Sequence, residues 1–257
     1  MTEYLPNAVL TSRKDLNDEL AVFSVRPEGW ELPEYEAGQY GELALPSLAV
    51  PGAKLERRSY SIASPARAPE LEFYIVRVNE GYLTPSLWSL QPGDKLWLGP
   101  KIKGKFVLSE CHQQKDLIMV ATGTGLAPFL SMLRTFRETP PWRNVVLIHG
   151  SRFSRDLGYK DELEQFQKDH PWFSYLPSLT REPEGSGWTG ERGRVQELFR
   201  SGAVEKALKE PFSLEYSHFL LCGNPQMIDD VEALLLERGF HPHKKKVPGN
   251  VHVERYW

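Results

Sequence analysis

The sequence predicts two domains, an antiparallel β-barrel followed by an α/β domain built on a parallel sheet. Three observations lead to this prediction. Short β-type runs separated by turn-forming residues fill the chain up to about residue 105. From about residue 115, apolar runs alternate with segments of helical spacing. The 257 residues are enough for two ordinary domains, which we place at residues 1–105 and 106–257.

The first half alternates strands with turns. Five runs have the composition of β-strands: Ala21–Arg26, Gly41–Leu45, Arg58–Ile62, Glu72–Val78 and Lys95–Leu98. Pro27–Gly29 and Pro92–Asp94 lie between them, where Pro and Gly favour turn geometry. One short helix is predicted at Ser86–Leu90. Closely spaced strands with little helical pattern favour a small antiparallel barrel or sandwich.

The second half alternates strands with helices. The predicted strands are Asp116–Ala121, Asn144–His149, Phe173–Thr180 and His218–Cys222. The predicted helices are Ala127–Arg137, Lys160–Lys168, Val195–Arg200 and Met227–Arg238. Unbroken apolar strands that alternate with helices are typical of a parallel sheet with helices on both faces.

Composition and charge exclude several classes of protein. Hydrophobic residues make up 40% and charged residues 25%, as in ordinary globular proteins. A formal charge of −3 argues against a general nucleic-acid binder. No apolar run approaches the ~20 residues that cross a bilayer, and no secretory leader is visible. We therefore expect no nucleic-acid partner and no membrane association.

The cysteine and histidine content predicts an organic cofactor for any redox chemistry. Cys111 and Cys222 are too few for a disulfide framework or an iron–sulfur cluster, and a reducing cytoplasm is the simplest location. The histidines are scattered, and we interpret His241 and His243, beside Lys244–Lys246, as part of a solvated surface. No metal site is predicted.

A glycine-containing loop, ATGTGLAP, follows the first strand of the second half. Gly123 and Gly125 would let a phosphate approach the backbone, and the helix that follows would offer free N–H groups. Pro128 suits the first turn of that helix. The loop lacks the third glycine and the later acidic residue of the usual dinucleotide fingerprint, so a non-standard nucleotide site is the better interpretation.

Three more clusters attract attention. In RSYS, Arg58 could grip a pyrophosphate, Tyr60 could stack on a flat ring and Ser61 could hydrogen-bond a ring nitrogen, although a strand with a surface arginine explains the same letters. CGNP lies at the end of the last apolar strand. Cys222 in this motif is either a functional thiol or a small buried residue. The chain closes on VHVERYW, whose two terminal aromatics are suited to docking on a flat surface.

Taken together and in this order, these motifs resemble the bacterial ferredoxin–NADP reductase family, also called flavodoxin/ferredoxin reductases. The resemblance extends over nearly the whole chain, through RSYS, EFYIVRV, GYLTPSL, ATGTGLAPFLSML, HGSR, TRE, CGNPQM and the terminal Tyr-Trp. It implies an FAD-binding barrel followed by an NADP-binding α/β domain.

The resemblance also implies roles for individual residues. The FAD-binding set would be Arg58, Ser59, Tyr60, Ser61, Ile75, Val76, Arg77, Tyr82, Leu83, Thr84, Thr124, Tyr256 and Trp257. Within it, Arg58 would hold the pyrophosphate, Tyr60 and Tyr256 would cover opposite faces of the isoalloxazine, and Trp257 would stack on the adenine. The Thr84 hydroxyl would reach a phosphate oxygen. The catalytic set would be Ser61, Cys222, Glu254 and Tyr256.

The NADP-binding set would be Gly123, Gly125, Ser151, Arg152, Thr180, Arg181, Arg194, Cys222, Gly223 and Asn224. The 2′-phosphate of NADP favours arginines where an NAD site has an acidic residue. Arg152 and Arg181 follow predicted strands, and we expect them to account for most of the NADP preference. Whether Arg192 or Arg194 joins them stays open.

The implied reaction is hydride transfer between NADPH and FAD, coupled to one-electron exchange with ferredoxin or flavodoxin. Tyr256 is predicted to gate the access of nicotinamide. A basic rim would steer an acidic partner, with candidates Arg57, Arg58, Lys101, Lys103, Lys105 and Lys244–Lys246. The alternatives are an NAD(P)H:flavin or oxygenase-system reductase and a flavin-binding redox sensor without turnover. Nothing in the sequence demands more than a monomer.

Overall fold

The structure, a computed structural model, describes residues 5–46, 55–111 and 114–256. These residues form two compact units. The first contains the chain up to Leu108 together with Ala127–Thr135, and the second contains Ser109–Leu126 and the chain from Phe136 onward. The predicted division between residues 105 and 106 stays a prediction, and the units differ from it because the helix Ala127–Thr135 belongs to the first.

The first unit contains a six-stranded antiparallel sheet that curls into a barrel. Its strands are β1 (Ala8–Asp15), β2 (Leu20–Pro27), β3 (Tyr40–Pro46), β4 (Leu55–Ser61), β5 (Leu71–Val76) and β6 (Lys95–Leu98), in the order β4-β3-β6-β1-β2-β5. Ile62, directly after the edge strand β4, makes an antiparallel bridge to Phe73 on the other edge strand β5. This bridge joins the two edges, and the predicted barrel is confirmed.

The interior of the barrel is apolar. Phe23, Leu43, Ile62 and Phe73 are completely buried there. The short helix α1 (Thr84–Ser89) begins with Pro85 in its first turn, where a missing N–H costs nothing, and its Leu87 joins this core.

Helix α2 (Ala127–Thr135) contacts the barrel through side chains of its second half. The Ser131 hydroxyl donates to the carbonyl of Ser64 at 2.7 Å. Arg134 donates to the carbonyl of Ala63 and forms an ion pair with Glu72 at 2.6 Å. These polar contacts explain why α2 belongs to the unit of the barrel although it follows a strand of the other unit in sequence.

The second unit contains a six-stranded parallel sheet. Its strands are β7 (Asp116–Thr122), β8 (Val145–Ser151), β9 (Phe173–Leu179), β10 (Glu191–Arg192), β11 (Ser217–Gly223) and β12 (Val251–Arg255), in the order β10-β9-β8-β7-β11-β12. The remaining helices are α3 (Lys160–Asp169), α4 (Val195–Arg200), α5 (Ala203–Leu208) and α6 (Pro225–Glu237). The predicted α/β architecture is confirmed.

One face of this sheet is closed by α4, α5 and α6. Phe199 of α4, Val204 of α5 and Ile228 of α6 pack with Ile118 and Phe219 of the strands in a single buried cluster. Burial of such side chains contributes about 1.5–3 kcal/mol each, so this layer contributes much of the stability of the unit. None of the helices in the described ranges is long and apolar enough to cross a membrane.

Candidate functional site

The predicted nucleotide-binding residues of the second unit converge at the carboxyl edge of the parallel sheet. All its strands run in one direction, so the segments after β7, β8, β9 and β11 emerge at the same edge. In such sheets, ligands bind in this position. The strand order places the end of β7 centrally, with the arginine-bearing ends of β8 and β9 on one side and the ends of β11 and β12 on the other.

The loops after β7 and β11 touch backbone to backbone. A Cβ atom on Gly125 would lie 2.4 Å from the carbonyl oxygen of Cys222, and one on Gly223 would lie 2.4 Å from the Thr122 hydroxyl. The same hydroxyl accepts the backbone N–H of Asn224 at 2.9 Å. Only glycine fits at positions 125 and 223, because any side chain there would clash with the neighbouring loop. Thr122, which the sequence analysis did not single out, joins the two loops.

Gly123 has a different reason to be glycine. Its φ is +54°, in the left-handed region, and a Cβ atom there would meet nothing within 4 Å. The open space beside it leaves its backbone accessible to a ligand. Of the two glycines predicted to admit a phosphate in this loop, Gly123 has the geometry for it, whereas the space next to Gly125 is filled by the Cys222 carbonyl.

Cys222, Glu254 and Tyr256 form one group at the ends of β11 and β12. Cys222 pairs with Glu254 in the parallel register, and its Sγ lies 3.8 Å from the Glu254 carboxylate. The Tyr256 side chain also hydrogen-bonds the thiol. Cys222 is completely buried, and burial together with the Glu254 carboxylate raises the pKa of its thiol well above the usual value. The group is a neutral thiol beside a carboxylate, not a nucleophilic thiolate.

A buried histidine lies beneath the glycine loop. His149 is completely buried in β8, and its Nδ1 lies 3.2 Å from the hydroxyl of Tyr175 on the neighbouring strand β9. Burial lowers the pKa of His149 to about 4, outweighing an interaction with the backbone of Gly123 that raises it. The imidazole is therefore neutral at physiological pH. Sequence reasoning did not select His149, because a histidine in an apolar strand carries no local signal of its neighbours.

The predicted 2′-phosphate residues are adjacent. The Thr180 N–H donates to the Ser151 carbonyl at 3.0 Å and the Arg181 N–H donates to the Arg152 carbonyl at 2.9 Å, so the segments after β8 and β9 remain paired. Both arginine side chains are exposed. This pairing brings the backbone of Arg152 next to that of Arg181.

Arg192 and Arg194 have different contacts in the structure. The guanidinium of Arg192 donates to the carbonyls of Glu182 at 2.7 Å and Pro183 at 3.3 Å, which holds the preceding loop. Arg194 is exposed and begins α4. Arg194 is thus the better placed of the two for an anion, in line with its selection.

The residues of the RSYS motif lie on β4 of the barrel. Arg58 is half-exposed, and its guanidinium forms an ion pair with Glu56 at 3.4 Å. Because this contact is long, a phosphate can replace the Glu56 carboxylate as the partner of Arg58. Tyr60 is partly buried with its ring edge toward Phe73, and burial raises the pKa of its phenol, which is therefore neutral. Ser59 is exposed and Ser61 is buried. Along β4, Arg57, Arg58 and Ser59 are all exposed, and burial increases only at Tyr60 and Ser61.

The other predicted FAD residues of the barrel lie on β5 and in the loop before α1. Ile75 is buried, Val76 is partly buried and Arg77 is exposed at the end of β5. Tyr82 is 54% exposed, whereas Leu83 is buried. The family resemblance implies that the Thr84 hydroxyl would hydrogen-bond a phosphate oxygen of FAD.

The Thr84 hydroxyl instead has structural partners. It donates to the carbonyl of Val78 at 2.9 Å and accepts the N–H of Val78 at 3.0 Å, which closes the loop between them. Its proton is therefore engaged within the protein. In the second unit, Thr124 is buried, and the side-chain Oδ1 of Asn224 caps α6 by accepting the N–H of Gln226 at 2.8 Å. Trp257 lies outside the described residues.

The two histidines interpreted as surface residues differ in exposure. His241 is exposed as expected, but the ring of His243 stacks on His252 with centroids 4.4 Å apart, and its side chain is only 21% exposed. The chain segment bends back here because the N–H of His243 donates to the carbonyl of Val251 in β12.

Comparisons with known proteins agree with this architecture. Residues 119–233 match the oxidoreductase NAD-binding domain family. The chain is 35% identical over 238 residues to a flavodoxin/ferredoxin–NADP reductase of Shigella flexneri, covering 92% of this chain and 93% of the relative. It is 32% identical to a ferredoxin–NADP reductase of Pseudomonas aeruginosa, covering 84% of this chain and 85% of the relative.

A solved structure is similar over its full length. The ferredoxin–NADP⁺ reductase of Neisseria gonorrhoeae, crystallised with bound FAD and NADP, superimposes with a TM-score of 0.86 at 27% identity, and the match covers 100% of both chains. The identity to the curated relatives extends over both compact units. The chain belongs to the flavodoxin/ferredoxin–NADP reductase family of oxidoreductases.

Proposed function

We propose that the chain is an FAD-dependent reductase that moves hydride between NADPH and FAD and exchanges electrons singly with a ferredoxin or flavodoxin. One observation supports this best. The carboxyl edge of the parallel sheet has a cationic end, after β8 and β9, and a thiol–carboxylate end, after β11 and β12. A dinucleotide has the same polarity, with a phosphorylated ribose at one end and a reactive ring at the other.

The distance between these two ends suits such a ligand. Neighbouring strands lie about 4.8 Å apart, so three or four strand spacings from β12 to β8 and β9 span about 14–19 Å. An extended dinucleotide can bridge this span. Gly123, at the end of the central strand β7, is where its pyrophosphate would meet open backbone.

The Cys222 group suits the nicotinamide ring. The protonated Cys222 thiol is small and uncharged. A flat ring can therefore lie against it without separating a charged group from its counter-ion. The Glu254 carboxylate can accept an N–H from the carboxamide of that ring. Tyr256 hydrogen-bonds the thiol, so a ring that reaches Cys222 has to displace the Tyr256 side chain. This supports the gating role proposed for Tyr256.

The barrel residues suit FAD. Arg58 offers a half-exposed guanidinium for the pyrophosphate, and Tyr60 offers a neutral ring, on the same face of β4, for stacking. When bound, FAD supplies two-electron chemistry toward NADPH and one-electron chemistry toward a protein partner. Cytoplasmic location and function as a monomer without nucleic acid or membrane are parts of the same proposal.

An anaerobic absorption titration tests the proposal. The purified protein should carry flavin whose absorption is bleached by stoichiometric NADPH, and far less readily by NADH. The bleached protein should then reduce an added ferredoxin or flavodoxin. A protein that binds no FAD, or that stays coloured with both nucleotides, would contradict the proposed function. Bleaching with no transfer to either partner would favour the flavin-reductase alternative.

Arg181→Ala tests the assignment of the 2′-phosphate site. Charge-assisted contacts contribute about 1.5–3 kcal/mol, so the ratio of kcat/KM for NADPH to that for NADH should fall roughly ten- to hundredfold. Arg155→Ala is the matched control, because Arg155 is 73% exposed in the same region and its guanidinium lies over the Phe153 ring. An unchanged ratio in Arg181→Ala would remove Arg181 from the site.

A further inference from the structure

Three buried side chains with metal-binding atoms meet in the second unit, away from the carboxyl edge of the sheet. Cys111, His218 and His252 are all buried, and one potential ligand atom from each lies within 4.8 Å of the others. They come from distant parts of the sequence, namely the segment before β7, the start of β11 and the middle of β12. Neither the proposed reaction nor the nucleotide site uses any of them.

The parallel register explains how the two histidines meet. Leu220 of β11 lies opposite His252 of β12, and strand residues two apart share a face, so His218 and His252 lie on one face of the sheet. Their rings are 5.9 Å apart between centroids. His218 and Cys222 are four residues apart on the same strand, roughly 13 Å, which separates this cluster from the nicotinamide end.

The donor set suits zinc, which binds both cysteine and histidine. One thiolate and two imidazoles match zinc, which binds Cys sulfur at about 2.3 Å and His nitrogen at about 2.0 Å with tetrahedral geometry. Those bond lengths put ligand atoms about 3.3–3.6 Å apart, so the present separations need to close by at most about 1.4 Å. Three protein ligands leave one position for water.

A second layer of residues surrounds the cluster. His243 stacks on His252 at 4.4 Å between centroids, and its Nε2 lies 3.6 Å from the carboxylate of Glu110. Glu110 is the chain neighbour of Cys111. Zn²⁺ with one thiolate keeps a charge of +1, which a nearby carboxylate offsets, and residues around a zinc site usually orient its ligands in this way.

We propose that Cys111, His218 and His252 form a zinc-binding site that fastens β12 to the sheet. β12 is the edge strand and pairs only with β11 among the described strands. An ion held by residues of β11, β12 and the segment before β7 adds a link between these three parts. Glu254 and Tyr256 follow His252 on the same strand, so the site anchors the part of the chain that reaches the nicotinamide end.

Binding at this site is a ligand exchange without oxidation or reduction. A free cysteine is mostly protonated at neutral pH, and the thiolate is the form that binds a metal ion. When hydrated Zn²⁺ enters, the S–H bond breaks, a Zn–S bond forms, and one proton leaves to buffer. One nitrogen of each histidine replaces a further water.

Isothermal titration calorimetry with ZnCl₂ on the chelator-treated, flavin-containing protein tests the proposal. We expect one Zn²⁺ per chain and the release of about one proton per ion, counted by repeating the titration in buffers of different ionisation enthalpy. Cys111→Ser and His252→Gln should each weaken binding at least about tenfold. Absence of binding to the wild type, or equal affinity in Cys111→Ser, would overturn the proposal.

Matched variants separate this site from other thiols and histidines. Cys222→Ser removes the second cysteine and His170→Gln removes a histidine of the same unit outside the cluster. Both should keep the wild-type zinc affinity, which is the only property measured on them. Loss of zinc binding in both would mean that the ion is held elsewhere, and the assignment would be wrong.

A measurement on the wild type alone avoids dependence on folding of the variants. Co²⁺ bound to a thiolate gives a charge-transfer absorption that hydrated Co²⁺ lacks. It is recorded as a difference spectrum against the same flavoprotein without cobalt. Appearance of this band with one equivalent of Co²⁺, and its loss on adding Zn²⁺, would support the site; its absence would overturn it. Neither result depends on the reductase activity.

Discussion

At the scale of single residues, His149 shows how a buried polar group links stability to pH. Its imidazole is completely enclosed and remains neutral, with a pKa lowered to about 4 by burial. In the unfolded chain, histidine titrates near pH 6.5. Between these two values the unfolded chain therefore binds a proton that the folded protein excludes. The stability associated with His149 is complete above about pH 6.5 and is lost as the pH falls toward 4.

We expect the free energy of unfolding of the wild type to fall by about 2 kcal/mol between pH 7 and pH 5 from this residue alone. His149→Gln should lose stability at pH 7 but show a flatter dependence on pH. Urea unfolding at the two pH values measures both. His241→Gln, at an exposed position, is the control and should keep the wild-type slope. An equally steep slope in His149→Gln would show that another group is responsible.

At the scale of elements, β12 determines where the end of the chain lies. Arg255 at the end of this strand forms ion pairs with Asp229 at 2.7 Å and Glu232 at 2.6 Å, both on α6. The N–H of Tyr256 donates to the carbonyl of Gly223 at 3.2 Å. These contacts hold the last described residues beside the end of β11. The ion pairs are partly exposed, so their contribution to global stability is small.

Arg255→Ala should therefore loosen the chain end more than it destabilises the fold. We expect global stability to fall by less than about 1 kcal/mol. The amide hydrogen of Tyr256 should exchange with solvent several times faster, because local opening no longer breaks two ion pairs. Arg200→Ala is the control, since Arg200 forms a comparable exposed pair with Glu197 on α4. Equal exchange rates in both variants would contradict this function of Arg255.

At the scale of the whole molecule, the charge is nearly balanced, at −3 with 31 Lys and Arg against 34 Asp and Glu. An acidic partner can then be steered only by a local excess of cations. Several candidates have partners in the barrel unit: Lys103 pairs with Glu42 at 3.0 Å, and the Arg57 guanidinium lies 4.4 Å from the centre of the Trp97 ring. Lys101 and Lys105 are exposed in the same segment.

We expect kcat/KM with an acidic ferredoxin or flavodoxin to fall roughly tenfold between low and high salt, because screening shortens the range of steering. Lys105→Glu should lower this value and weaken its salt dependence. Lys14→Glu makes the same change of charge at an exposed lysine of β1 and should have little effect. An uncharged quinone as electron acceptor is the control, because its turnover reports the NADPH and flavin steps without a charged protein partner. A partner reaction independent of salt would argue against steering.

Most elements of the fold could be predicted from the sequence because burial on one or both faces leaves a pattern in the apolar residues. The exceptions are informative. β1 begins with buried Ala8 and Leu10 but continues with exposed polar residues, so pairing with β2 extends it beyond its apolar signal. β10 consists of two exposed residues, and it is a strand only because its backbone pairs with β9. α5 has two buried residues, Val204 and Leu208, and follows α4 after a two-residue turn.

The candidate site was predictable to the extent that its residues occur in compact motifs. RSYS, ATGTG and CGNP each carry local information, because a turn, a strand end and a helix start are set by neighbouring residues. The partners of these residues are not local. Arg192 is engaged with the carbonyls of Glu182 and Pro183, and the Thr84 hydroxyl with Val78, contacts that depend on how loops close.

The sequence by itself determined the two kinds of sheet, since these depend on local composition and spacing, and its motifs carried the resemblance that implied the family and the site residues. The tertiary structure alone decided that α2 packs with the barrel, that Gly125 is required by the Cys222 carbonyl, and that Cys111, His218 and His252 meet. The physical reason is that strand order and register bring together residues that are far apart in the sequence, and no local pattern of apolar residues specifies which strands become neighbours.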